Sequence, residues 1–411
     1  MLSRSALVLP FAFSCGLVSP ACADVVSDWN EKTVAFVTNA KMAPPQAERV
    51  MAMVHVAMFD AVNAIDKRYR PYLVQPSGSA SASKQMAAAA AAGKVLLGLH
   101  PEAEPDLRVT LATYVAGIPE GGAKSEGLHI GEEVARRVLE ARAGDGSEAL
   151  DAYRPNTKPG VYVPTPITVA SMWPKLKPFA ITSPSQFRPQ PPISVKSERW
   201  ATDYNEIKVY GSRTSTNRSA RQTEDARFWL EPGPIIYYPV VRQIAAAKKL
   251  DVLDSARLLG LVAVARSDAF IAIFDAKYHY EFWRPVTAIR NGDTDDNPAT
   301  ELDATWLPLA DTPMHPEYPC AHCIMASSVA SVVESLFGVA DLPEVSLTSP
   351  TAPGVTHRWS NLKALVDEVS EARIWAGFHY RFSTQVGTEM GRRIGEYTVM
   401  TVMQPTLLDA R

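Results

Sequence analysis

Apolar residues recur along this chain at helical rather than strand spacing. From Pro44 to Ile65, the positions Val50, Val54, Ala57, Met58, Ala61, Val62 and Ile65 trace one face, which predicts a core-facing helix. Lys84 to Leu99 is rich in alanine, the strongest helix former, and Pro105 to Ile118 reads as a further helix. Ala123 to Ala143 carries Leu128, Val134, Val138 and Leu139 in one stripe. Between Asp151 and Pro192, ten prolines interrupt the pattern, yet Trp, Phe, Tyr and Ile are too frequent for a disordered linker. That stretch is expected to be an ordered, irregular strap across the helices. Helices resume near Glu198, and Asp254 to Tyr280 is long and nearly all apolar, as the centre of a second bundle requires. Asn291 to Asp311 reads as an acidic loop with a short turn; Cys320 to Phe337, Leu362 to Ala376 and Thr384 to Met403 read as helices. No sustained apolar/polar alternation marks a strand, so the expected fold class is all-α.

The first residues follow a different logic. Met1 to Arg4 carry a positive charge, Ala6 to Val18 are almost wholly apolar, and Ala21-Cys22-Ala23 precedes Asp24 as a small-x-small cleavage site. Residues 1–23 are thus expected to be a signal peptide, and the mature product to be periplasmic or secreted. The apolar run is too short for an anchoring span. The remainder divides into an N-terminal helical half with the Pro-rich strap, residues 24–195, and a C-terminal helical bundle, residues 196–411. A net charge of −3 without a basic stripe argues against nucleic acid, and no second apolar segment suggests a membrane span. Nothing in the pattern sets an oligomeric state. Of four cysteines, only Cys320 and Cys323 lie beyond the expected cleavage site, too few for a disulfide framework.

Chemistry concentrates in three blocks. Lys277 and Arg284 stand seven residues apart ahead of Pro285. On one helix they would share a face about 10 Å apart, with Pro285 ending or kinking it. Pro319-Cys320-Ala321-His322 reads as a helix start, with Pro319 in the first turn and backbone N–H groups free to meet an anion. Arg373 and His379 are six residues apart and cannot share a helical face unless Gly377 turns the chain between them. Singly, each block also reads as an ordinary helix start, surface ion pair or core histidine. Together they supply three cations and two histidines for a phosphate-shaped oxyanion.

The spacings K-x6-R-P, P-x-x-H and R-x5-H resemble the signature shared by vanadium-dependent haloperoxidases and the type 2 phosphatidic acid phosphatase superfamily. Met42 to Tyr72, Pro174 to Arg188 and Tyr204 to Trp229 are also similar to the bacterial haloperoxidase-like branch. The resemblance implies two packed four-helix bundles with the site in the C-terminal one. It implies that Lys277, Arg284 and Arg373, with the Cys320 and Ala321 positions, bind the oxyanion; that His379 is the axial ligand of vanadate; and that His322 is the acid/base. Lys277 would also polarise bound peroxide. The middle block departs from the family's Pro-Ser-Gly-His at Cys320 and Ala321. Ser383 stands where the family often has an Asp that steadies the axial histidine, and its hydroxyl is expected to accept that hydrogen bond instead. Cys320 and Cys323 leave a disulfide, a zinc site or oxidisable free thiols open. His315 occupies a position where bromoperoxidase-like members have His and chloroperoxidase-like members Phe, which favours bromide or iodide. Trp283 is expected beside His315 as a pocket wall.

Three functions follow from this resemblance. One is a haloperoxidase using vanadate, hydrogen peroxide, a halide and a small organic acceptor. The second is a soluble acid phosphatase in which phosphate is the ligand and His379 forms a phosphohistidine. The third is an oxyanion-binding protein without turnover.

Overall fold

The computed structural model describes residues 24–164 and 167–406; the expected signal peptide lies outside the described residues. Asp24 caps α1 (Val25–Asn39) by accepting from the Val26 amide. α2 (Pro44–Asp66), α3 (Lys84–Leu99), α4 (Glu104–Ala116) and α5 (Gly122–Ala141) follow. α2 is buried along almost its whole length, and the alanine run of α3 lets α5 approach closely. An added Cβ at Gly131 would strike the Ala87 carbonyl and lie 2.8 Å from the Ala90 Cβ. α1, α2, α3 and α5 form the first bundle.

Among the described residues the strap is irregular apart from one short turn at Trp173–Lys175 and an isolated antiparallel bridge between Val161 and Phe282. Otherwise polar contacts pin it to the second half of the chain. Buried Asp268 accepts from the amides of Phe179, Ala180 and Ile181 at 2.6–2.9 Å. Arg188 forks onto Asp275 at 2.7 Å through two nitrogens, and Tyr280 and Tyr318 donate to the carbonyls of Pro189 and Gln190.

α6 (Glu198–Tyr210), α7 (Ala220–Phe228) and α8 (Pro234–Ala247) lead into the central helix α9 (Val252–Tyr280), which packs against α2 and so joins the two halves. After it come α10 (Pro285–Arg290), α11 (Ala321–Phe337), β1 (Val345–Ser349), β2 (Ala352–Trp359), α12 (Leu362–Trp375) and α13 (Arg381–Thr401). α9, α11, α12 and α13 make the second bundle. Gly387, Gly391 and Gly395 let α13 lie against α11: a Cβ on Gly391 would meet Ser327 Oγ and the Ile324 carbonyl.

The fold is all-α in its layers, with one correction. β1 and β2 form an antiparallel hairpin, Val345 opposite Trp359 and Leu347 opposite His357. Its first strand has a buried-outward alternation only five residues long, too short to register as a period.

Candidate oxyanion site

α9 ends where Glu281 takes a left-handed conformation, φ 47°, and its amide closes on the Lys277 carbonyl at 2.8 Å. Arg284 is therefore not on the helix of Lys277. It is the N-cap of α10, and Pro285 begins that helix rather than ending one. The two side chains reach the same loop, residues 315–317, from different elements. Lys277 Nζ donates to the carbonyls of Pro316 and Glu317 at 2.8 and 2.7 Å, leaving one N–H. Arg284 donates from Nε to the His315 carbonyl at 2.8 Å and from Nη1 to the Phe378 carbonyl at 3.0 Å. Its Nη2 lies 3.0 Å from His315 Nδ1 and its Nη1 3.4 Å from His379 Nε2.

α12 carries Arg373 inward. Gly377, φ 81°, then turns the chain so that the amides of Phe378 and His379 fold back onto the Arg373 carbonyl at 3.1 and 3.3 Å. No larger residue fits there, since an added Cβ would sit 2.6 Å from the Gly211 carbonyl. Arg373 Nη1 donates to the Trp229 carbonyl at 2.6 Å, while its buried Nε has no partner.

His379 is held by a residue the sequence did not single out. Its Nδ1 lies 2.7 Å from Glu317 Oε1, and the same oxygen accepts from the Tyr380 amide at 3.2 Å. A carboxylate at Nδ1 selects the tautomer with its lone pair on Nε2, which meets Arg284 Nη1 at 3.4 Å. Ser383 does not reach the ring: Glu317 does so from the facing loop, and the buried Ser383 hydroxyl acts on Glu317 instead, helping to hold its carboxyl down. The only advance signal was an acidic residue between Pro316 and Pro319, beside two site blocks.

The middle block is also arranged differently from expectation. Pro319 precedes the helix and Cys320 is the N-cap of α11. Cys320 is bonded to Cys323 in a disulfide, its amide donates to the Ser383 carbonyl at 3.3 Å, and its side chain is fully buried. It therefore offers no donor to an anion. Ala321 and His322, whose amides have no acceptor among the described residues, line the cavity instead. His322 Nε2 is buried and unpaired. Trp283 is not a wall: it stacks on Trp200, 6.0 Å between centroids, within an aromatic cluster that includes Phe282 and Tyr380. Its fused neighbour Arg284 turns the other way.

His315, Ala321, His322, Arg373 and His379 line a cavity of about 620 Å³ together with Phe270, Phe274, Met325 and Phe378, whereas Lys277 and Arg284 are not among its lining residues. Lys277, Arg284 and Arg373 are buried, against one buried carboxylate, Glu317. The imbalance registers on every group. Burial, with Arg284 alongside, pushes the Lys277 ammonium well below its ordinary value. Burial takes Arg284 down to about 10, and burial with Arg284 takes Arg373 down to about 9. His379, His322 and His315 are all held neutral, well below the ordinary imidazole value, by burial and the neighbouring cations. Burial drives Glu317 up to about 7 against the opposing pull of Lys277 and Arg284. An excess of buried positive charge with unpaired donors at Arg373 Nε and the α11 N-terminus fits a multiply charged tetrahedral oxyanion. The His379 Nε2 lone pair, which Arg284 Nη1 meets at 3.4 Å, fits the nitrogen ligand that vanadate would need.

Fold and site together define a double-bundle helical protein with a buried, cation-rich site in its second bundle. Residues 257–406 match the family described as the VCPO second helical-bundle domain. The vanadium chloroperoxidase of Curvularia inaequalis is 25% identical over 379 residues, covering 72% of this chain; the chain spans 61% of that protein's length. The crystal structure of a bacterial vanadium-dependent iodoperoxidase superposes with TM-score 0.79 at 22% identity, over 95% of this chain and 98% of that one. An apo-type bacterial vanadium-dependent chloroperoxidase gives 0.69 at 18% identity, over 87% and 93%. The second bundle thus matches that family model, and the whole chain shares the fold of these vanadium-dependent haloperoxidase structures. Among the described residues, no helix is long and apolar enough to cross a membrane.

Proposed function

We propose that this protein is a vanadate-dependent haloperoxidase that oxidises bromide or iodide. Hydrogen peroxide, halide and one proton give hypohalous acid and water, and the acid then halogenates a small organic acceptor. The observation that carries this reading is the His379–Glu317 pair, which presents a neutral imidazole lone pair amid three buried cations.

In this reading His379 Nε2 ligates the metal, and Arg373, Arg284, the remaining Lys277 N–H and the amides of Ala321 and His322 hold the oxygens. Bound vanadate supplies Lewis acidity toward peroxide. Glu317 keeps the proton on Nδ1, so the ligand nitrogen stays unprotonated. His322 Nε2, neutral and unpaired, accepts the peroxide proton, and a cation-stabilised oxyanion raises its basicity for return of that proton to the leaving oxygen. The aromatic lining supplied by Phe270, Phe274 and Phe378 suits an apolar acceptor. His315 faces the same cavity as a neutral imidazole, and its resemblance to bromoperoxidase-like members supports bromide or iodide over chloride. We also propose export with loss of residues 1–23, a setting in which the Cys320–Cys323 disulfide persists.

Purified protein would be assayed with orthovanadate, peroxide and each halide, and in parallel with a chromogenic phosphate ester, beside His379→Ala. The expected result is vanadate-dependent halogenation, faster with iodide and bromide than chloride, suppressed by inorganic phosphate and absent in the variant. Ester cleavage without vanadate would instead indicate a phosphatase working through phosphohistidine. Oxyanion binding without either activity would indicate a non-catalytic binding protein.

A further inference from the structure

A second cluster of ligating side chains lies where α7, β2 and α12 meet, outside the oxyanion pocket. Glu224 and Asp225 from α7 and His357 from β2 each present an atom within 4.8 Å of the others. His357 Nε2 is 3.6 Å from Glu224 Oε1 and 3.7 Å from Asp225 Oδ1. These separations exceed a hydrogen bond, and Nε2 has no hydrogen-bond partner although His357 is only 2% exposed. Two ligands each about 2.1 Å from a tetrahedral ion sit about 3.4 Å apart, close to the spacing found.

The ring is fixed as a metal-binding histidine would be. Its Nδ1 lies 2.6 Å from Glu368 Oε1, and its face stacks on Phe228 at 3.9 Å with 5° between planes. Glu368 is in turn held by the indole N–H groups of Trp229 and Trp359, both at 2.9 Å. An oriented carboxylate on one nitrogen directs the other nitrogen's lone pair outward, here toward two carboxylates.

We propose that Glu224, Asp225 and His357 bind a divalent cation of the zinc class, with a fourth position open toward solvent beside half-exposed Glu224. One nitrogen and two carboxylate oxygens suit zinc. The ion clamps α7 to β2 behind Trp229, whose carbonyl receives Arg373 Nη1, so it braces the wall that positions that cation. Arg221 is the competitor. Its side chain, 59% exposed, pairs with Asp225 Oδ1 at 2.8 Å and Glu224 Oε1 at 3.1 Å, with Glu368 Oε2 at 3.9 Å. Its guanidinium swings into solvent when the ion enters.

The test titrates untagged, chelator-stripped protein with Zn²⁺ and measures retained metal by elemental analysis, with thermal unfolding in parallel. One zinc per chain and a raised Tm are expected. Glu224→Gln, at a half-exposed position that leaves the fold intact, weakens binding roughly tenfold or more, as does Glu368→Gln through the ring. Arg221→Gln tightens binding by removing the competing cation. The proposal is overturned if neither wild type nor Arg221→Gln retains stoichiometric zinc. That outcome would mark the cluster as an ion-pair network built around Arg221. It is equally overturned if His357→Gln binds zinc as wild type does, which would place the ion elsewhere.

Discussion

Replacing Arg373 with methionine should stabilise the anion-free protein while destroying its response to oxyanions, the reverse of the usual effect of a buried substitution. Burial lowers the Arg373 pKa from 12.5 to about 9. At neutral pH, below both values, the charged form carries in full the penalty set by burial and the neighbouring Arg284 guanidinium, about 5 kcal/mol. Against this stands the hydrogen bond to the Trp229 carbonyl at 2.6 Å, a charged-donor bond contributing roughly 1.5–3 kcal/mol. Methionine nearly matches the volume, so no large cavity term enters. The net expectation is a variant more stable by about 2–3.5 kcal/mol in phosphate-free buffer. Saturating anion closes most or all of that gap: at a hundred times its Kd, phosphate or vanadate adds about 2.7 kcal/mol to wild type and little to the variant. Urea unfolding with and without phosphate measures both quantities. A variant less stable than wild type without anion, or one that gains as much from phosphate, would refute the reasoning that Arg373 is a cation awaiting its counter-charge.

Further outcomes follow from the same structure. Glu317→Gln removes the charge that fixes the His379 tautomer and should weaken vanadate binding by about 10–100-fold in equilibrium titration. Glu317 is raised to about 7 in the fold from an ordinary 4.5, so its stability cost is absent in acid and grows as pH rises. Wild type should lose about 2 kcal/mol between pH 5 and 7.5 that Glu317→Gln does not lose, as read by urea unfolding at the two pH values. Gly391→Val forces a side chain into Ser327 and the Ile324 carbonyl, pushing α11 from α13; thermal unfolding should register a loss of about 1–3 kcal/mol or more. Serine at both Cys320 and Cys323 should cost about 2 kcal/mol by opening a short loop, and in wild type neither sulfur should react with a thiol reagent before reduction.

What the sequence disclosed was periodic or spaced. α2, α3, α5 and α9 announce themselves because their buried faces repeat over several turns. The cations and histidines were found because motif spacing survives whatever backbone lies between them. The backbone itself was misread where one residue decides it: Glu281 enters the left-handed region, and Arg284 leaves the helix of Lys277 for the cap of α10. Trp283 and Arg284 are adjacent in sequence but point to opposite sides of an extended segment, so proximity to a site residue said nothing about the indole. Glu317 sits in a non-helical loop, where no period exposes a role, and its partner is contributed by a segment 62 positions later. α8 escaped notice because Pro239 lies inside it.

The account rests on one buried anion meeting His379 and the three cations at once. Diffraction from crystals soaked in orthovanadate, collected to use vanadium's anomalous signal, measures this directly. A single peak should appear bonded to His379 Nε2 and within hydrogen-bond reach of Arg373 Nε and the amide of Ala321 or His322. A peak elsewhere, or an inner cavity without one at saturating vanadate, would contradict the assignment of the site.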